Sequence, residues 1–84
     1  MAGRRMITEE DVRQRLRANL RARRIAAGLT VREAASRAKM NMRHWQKVES
    51  GEVNVTLQTL SRLGAALDVD PADLIADPSA VPQP

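Results

Sequence analysis

The sequence predicts an all-α protein, a five-helix orthogonal bundle. Three observations carry that expectation. Apolar residues recur at helical spacing, and no alternating β-branched run of useful length appears. Capping residues precede the periodic stretches, and Gly28 and Gly51 stand where two of them should stop. The connections are brief, and the chain has no internal repeats.

The elements follow in order. Thr8 is a hydroxyl cap followed by Glu9, Glu10 and Asp11, acids in the first turn where the helix dipole favours them. Val12, Leu16, Leu20 and Ala27 then fall within about 80° of one another, forming one apolar stripe. Arg13, Arg17, Arg21 and Arg24 form a basic stripe beside it, and Gly28 ends the helix. Thr30 and Glu33 read as a capping box opening a second helix over 31–38. Asn41 caps a third over 42–50, stopped by Gly51. Thr56 caps a fourth, with Leu57, Leu60, Leu63, Ala66 and Leu67 on its apolar face. Asp70 followed by Pro71 opens a short fifth helix that ends near Ala76. The expected domain is 8–76, between a basic flexible arm (1–7) and a Pro-rich flexible tail (77–84).

Composition narrows the function. With 84 residues there is room for one core, and without cysteine no disulfide or thiolate metal site can staple it. One histidine, His44, cannot make a multi-histidine metal site, so neither a metal nor another cofactor is expected. A lone aromatic residue, Trp45, argues against a surface built on stacked bases. No nucleophile–base pair and no glycine-rich phosphate cradle points to an enzyme. The basic N-terminus begins like a signal peptide, but no apolar stretch follows and no run approaches the ~20 residues that cross a bilayer. A soluble, cytoplasmic protein without membrane contact is the expectation. Charge is the informative property: the net value is +4, yet residues 55–84 hold Arg62 against Asp68, Asp70, Asp73 and Asp77. A basic first two-thirds joined to an acidic end suits a polyanion-binding face with a separate structural or pairing end.

Gly28-Leu29-Thr30-Val31-Arg32-Glu33-Ala34-Ala35-Ser36-Arg37 through Val48-Glu49-Ser50-Gly51 resembles, without a gap, the helix-turn-helix of the Xre/Cro and phage-repressor-like DNA-binding family. The likeness continues through Asn54, Leu57, Leu60, Leu63, Ala66, Leu67, Val69, Leu74 and Ile75, covering residues 12–76. It implies a lambda-repressor-like bundle. Two short helices joined by a tight turn need a small residue where they cross, and Ala35 sits mid-helix in the second. By angle, Trp45, Val48 and Glu49 share one side of the third helix, with Arg43, Gln46, Lys47 and Ser50 opposite and Met42 at the exposed first turn. Arg and Lys read guanine and Gln reads adenine in a major groove that admits one helix, so Met42, Arg43, Gln46 and Lys47 are the base-readout candidates. The DNA-backbone candidates are Thr30, Arg32, Asn41, His44, Ser50 and Asn54, with Arg4 and Arg5 of the arm reaching phosphates or a minor groove.

The sequence departs from the family pattern at several positions. Val31 stands where a phosphate-bonding Gln is usual, and Lys39 where Gly is usual. Ala34 and Ala38 replace larger residues, and Trp45, at a common Ile position, is expected to fill the volume they vacate. The resemblance further implies that Glu49 pairs with Arg24 as a structural ion pair. It implies double-stranded DNA as partner and a homodimer on two-fold symmetric half-sites, the protein acting as a repressor or controller and nucleoid-associated when bound. Leu74 and Ile75 are the dimer candidates; the alternative is that they close the monomer's core. A different reading of the same fold is an antitoxin-type module that neutralises a partner protein and regulates its own operon.

Overall fold

The computed structural model describes residues 6–79. Arg4 and Arg5 lie outside the described residues, as does the end of the proline-rich segment. Five helices follow one another: α1 (Glu9–Ala26), α2 (Val31–Arg37), α3 (Met42–Glu49), α4 (Leu57–Leu67) and α5 (Pro71–Ile75). No strand occurs among the described residues.

Local chemistry explains where each helix starts. Thr8 Oγ1 accepts from the Asp11 amide at 3.1 Å while the Thr8 amide donates to Asp11 Oδ2 at 2.9 Å, a reciprocal box. Thr30 and Glu33 repeat it at α2, the Thr30 amide donating to Glu33 Oε1 at 2.9 Å and Thr30 Oγ1 accepting from the Glu33 amide at 3.1 Å. The backbone bond from Thr30 holds the Glu33 carboxyl below its ordinary value. Asn41, Thr56 and Asp70 cap α3, α4 and α5 through their side chains.

The helix ends share one device. After each of α1 to α4 a residue turns left-handed: Gly28, Lys39, Gly51 and Asp68, with φ of 72°, 57°, 81° and 56°. The following amides, of Leu29, Met40, Glu52 and Val69, reach back to the carbonyls of Arg24, Ala35, Lys47 and Gly64. Lys39 accepts the conformation that costs a residue with Cβ about 1–2 kcal/mol. Helices α2 and α3 each end one residue short of expectation, at the cap itself.

One core unites all five helices. Leu16 and Leu20 of α1, Ala34 and Ala35 of α2, Trp45 and Val48 of α3, Leu60, Leu63, Ala66 and Leu67 of α4, and Leu74 of α5 are buried together. Helix α1 packs on α5 and α3, α2 on α3 and α4, and α4 on α5. Gly64 makes the last of these contacts possible: a Cβ there would lie 2.8 Å from the Val69 carbonyl oxygen and 3.0 Å from Pro71 Cγ. Buried Asn19 donates from Nδ2 to the carbonyls of Leu74 and Ala76 at 3.1 and 2.8 Å, tying α1 to the end of α5.

Three apolar assignments need correction. Ala27, expected in the α1 stripe, is the exposed C-terminal cap, because the stripe ends with the last helical turn. Leu57, expected on the inner face of α4, is 85% exposed, since it occupies the first helical position and core contact begins at Leu60. Leu74, proposed for a dimer contact, is wholly buried inside the protomer and has no surface to offer. Ile75 is half-buried. In the expected tail, Asp77 Oδ1 accepts from the Ser79 amide and hydroxyl at 3.0 and 2.8 Å, closing a local turn.

Candidate nucleic-acid interface

Helix α3 is fixed from beneath. Trp45 and Val48 are at most 1% exposed and seat the helix in the core that also holds Ala34, Ala35 and Ala38, with α2 packed on α3. Glu49 extends the anchor. Arg24 Nε donates to Glu49 Oε2 and Oε1 at 3.0 and 3.2 Å, Nη2 to Oε1 at 2.8 Å, and Nη1 to the Leu29 carbonyl at 2.9 Å. The Trp45 indole donates to Glu49 Oε2 at 2.6 Å. This carboxylate therefore joins α1, α3 and the Leu29 segment. Burial raises its pKa more than any other single influence, but the bonds from Arg24 and Trp45 and the charges of Arg24 and Arg21 together outweigh burial and hold it below 4.5. Sequence reasoning missed the indole contact, although the four-residue spacing on one helix was a usable signal.

The opposite face is open. Arg43, Gln46 and Lys47 are exposed, Met42 is 37% exposed at the first turn, and His44 is half-buried at the flank. Asn41 Oδ1 accepts from the His44 amide at 2.7 Å, leaving the Asn41 amino group unused by the cap. Thr30 and Arg32 are exposed at the start of α2. Two other backbone candidates are already engaged. The Ser50 hydroxyl lies 3.0 Å from the Lys47 carbonyl and 2.5 Å from Glu52 Oε2, a carboxylate that would repel a phosphate there. Asn54 Oδ1 accepts from Arg13 Nη1 at 2.7 Å.

The basic stripe of α1 is divided in the structure. Arg13 bonds to Glu9 and Glu10, and Arg24 bonds to Glu49. Arg17 and Arg21, between them, bond to no carboxylate among the described residues. They border a solvent-open cleft of about 400 Å³ between α1 and α3. Among the described residues no group of three or more His, Asp or Glu is arranged to hold a metal ion. No helix there is long and apolar enough to cross a membrane.

A short helix with one face locked into the core and the other offering Arg, Lys and Gln, held across a tight turn from a capped partner, defines a DNA-binding protein of the transcription-regulator class. The chain belongs to the helix-turn-helix domain family, whose model matches residues 15–76. Among solved structures it is similar to a hypothetical transcription factor, NHTF, from Neisseria, at 25% identity and a TM-score of 0.79, covering 94% of this chain and 89% of that one. It is also similar to the clp gene regulator ClgR from C. glutamicum, at 30% identity and a TM-score of 0.70, covering 75% and 82%. No curated protein matches the chain.

Proposed function

We propose that this protein is a cytoplasmic, sequence-specific repressor or controller of transcription that binds double-stranded DNA as a homodimer on a two-fold symmetric operator. The observation that carries the reading is the division of α3: Trp45, Val48 and Glu49 held from below, Arg43, Gln46 and Lys47 exposed above. Arg43 and Lys47 read guanine edges, and Met42 offers apolar contact to a thymine methyl. Gln46 contributes less to base readout, from a position nearer the groove wall. Thr30, Arg32, Asn41 and His44 contact phosphates, and Arg4 and Arg5 extend the electrostatic footprint. Ser50 joins them only by giving up the Glu52 carboxylate it holds in the free protein, whereas Asn54 donates from its amino group while its Oδ1 keeps Arg13.

Dimerisation uses Ile75 and the apolar groove beside it, where Val53, Val55 and exposed Leu57 stand together. One short recognition helix gives little discrimination against genomic competitors, and two-fold duplication doubles the contacts. Selection from a random duplex pool tests binding, half-site content and spacing together. Paired half-sites about one helical turn apart are expected, and a pool with no enriched sequence would defeat the reading. Sedimentation of the protein beside Ile75→Asp tests the association. A parent that stays monomeric at high micromolar concentration removes the dimer.

A further inference from the structure

We propose that Arg17 and Arg21 of α1 form a clamp for the DNA backbone beside the groove that α3 enters, an inference that rests on the DNA-binding reading of α3. The two side chains lie four residues apart on one helix face. Their neighbours in the same basic stripe are neutralised: Arg13 by Glu9 and Glu10, Arg24 by Glu49. Arg17 has one polar bond, from Nη1 to Gln14 Oε1 at 3.3 Å, and Arg21 acts on Glu49 only through space. The Arg17 stem runs against the turn that ends α3, its Cδ 3.3 Å from where a Cβ on Gly51 would stand. Both guanidiniums therefore belong to the cleft between α1 and α3, whose far wall is Gln46 and Ser50.

Position decides which anion fits. A major groove about 12 Å wide holds a helix of about 10–12 Å diameter, so the phosphates of both strands stand just beyond the helix edges. The cleft opens at one such edge, because Gln46 belongs at once to its wall and to the exposed face of α3. Val31, at the start of α2, lines the cleft without a side-chain donor, so the cationic donors there come from α1. Glu49 also lines the cleft, but its carboxylate is occupied by Arg24 and Trp45. The Glu52 carboxylate held by Ser50 at the far wall leaves the α1 side, with Arg17 and Arg21, as the place for a phosphate.

The test is duplex affinity as a function of salt for the full chain and for Arg17→Gln, Arg21→Gln and the double variant, each checked for folding by Trp45 emission and thermal melting. Each lost phosphate contact should reduce the slope of log K against log salt by ~0.9, which at 0.1 M is about eightfold in affinity. The loss should be equal on selected and scrambled duplexes. A neutral methylphosphonate at the flanking linkage should weaken the parent and leave the double variant unchanged. Arg62→Gln, outside the cleft on α4, should not alter the slope. Folded variants with the parent's slope and affinity would overturn the clamp while leaving α3 as the reader. A loss confined to one base position would make these arginines base readers instead. A parent that binds no duplex would remove both this inference and the DNA-binding reading.

Discussion

Replacing Glu49 by alanine should remove a large part of the protein's stability. The side chains of Arg24 and Glu49 retain only 14% and 10% exposure, so water cannot replace the lost carboxylate freely. After the change Arg24 keeps a single protein acceptor, the Leu29 carbonyl, and the Trp45 N–H loses its partner inside the core. Removing one member of a buried pair costs about 3–5 kcal/mol. The stranded indole belongs to the same event and argues for the upper part of that range. At roughly 0.05–0.15 kcal/mol per residue, a chain of 84 residues has about 4–13 kcal/mol to lose. Urea unfolding followed by Trp45 fluorescence measures the change directly, since no other aromatic residue contributes. Arg24→Met combined with Glu49→Met should recover part of the loss, because no buried charge then remains. A change within ~0.5 kcal/mol for Glu49→Ala, or a double variant no more stable than the single, would refute the anchor.

Other perturbations follow from the same structure. Glu49 has a carboxyl held below 4.5, so its stabilisation is fully present above that pH and lost as pH falls through the lower folded value; Glu49→Gln should flatten the acid limb of the stability profile below pH 4.5. Gly64→Ala should destabilise by about 1–3 kcal/mol despite alanine's better helix propensity, because the added Cβ meets the Val69 carbonyl oxygen, and thermal melting reads the sign. Lys39→Gly should raise stability by up to about 1 kcal/mol in urea unfolding, relief of the left-handed backbone exceeding the added freedom of the unfolded chain. Arg43→Ala should weaken binding to the selected site by about 1–3 kcal/mol and relax preference at one base position, as competition binding would reveal; equal losses on random DNA would reassign it to phosphate contact.

The features legible in the sequence are those whose chemistry is local. Thr8, Thr30, Asn41, Thr56 and Asp70 each cap a helix through a partner two or three residues away, so short-range rules suffice. The exposed side of α3 followed from angle alone, because Trp45 and Val48 leave little choice about which side is buried. Other features depend on contacts that no window of sequence contains. Asn19 reads as a polar interruption of α1 until the carbonyls of Leu74 and Ala76 arrive from the far end of the chain. A five-residue helix spans less than two turns, so periodicity could not decide which of Leu74 and Ile75 faces inward. Counting arginines likewise treats Arg13 and Arg17 as equals, although only the first has carboxylate partners.

That difference bears on function more than the net charge of +4 does. The acids of the basic region are committed locally: Asp11 and Glu33 to caps, Glu9 and Glu10 to Arg13, Glu49 to Arg24, and Glu52 to Ser50. Arg17, Arg21, Arg32, Arg43 and Lys47 bond to no carboxylate among the described residues and are all exposed. The capping and anchoring that build the helices also concentrate unneutralised positive charge along α3 and its margins. A polyanion meeting this surface would encounter a local field stronger than the overall composition indicates. Shape and charge therefore converge on the same face, with Glu49 fixing α3 from below while the cations above it stay available.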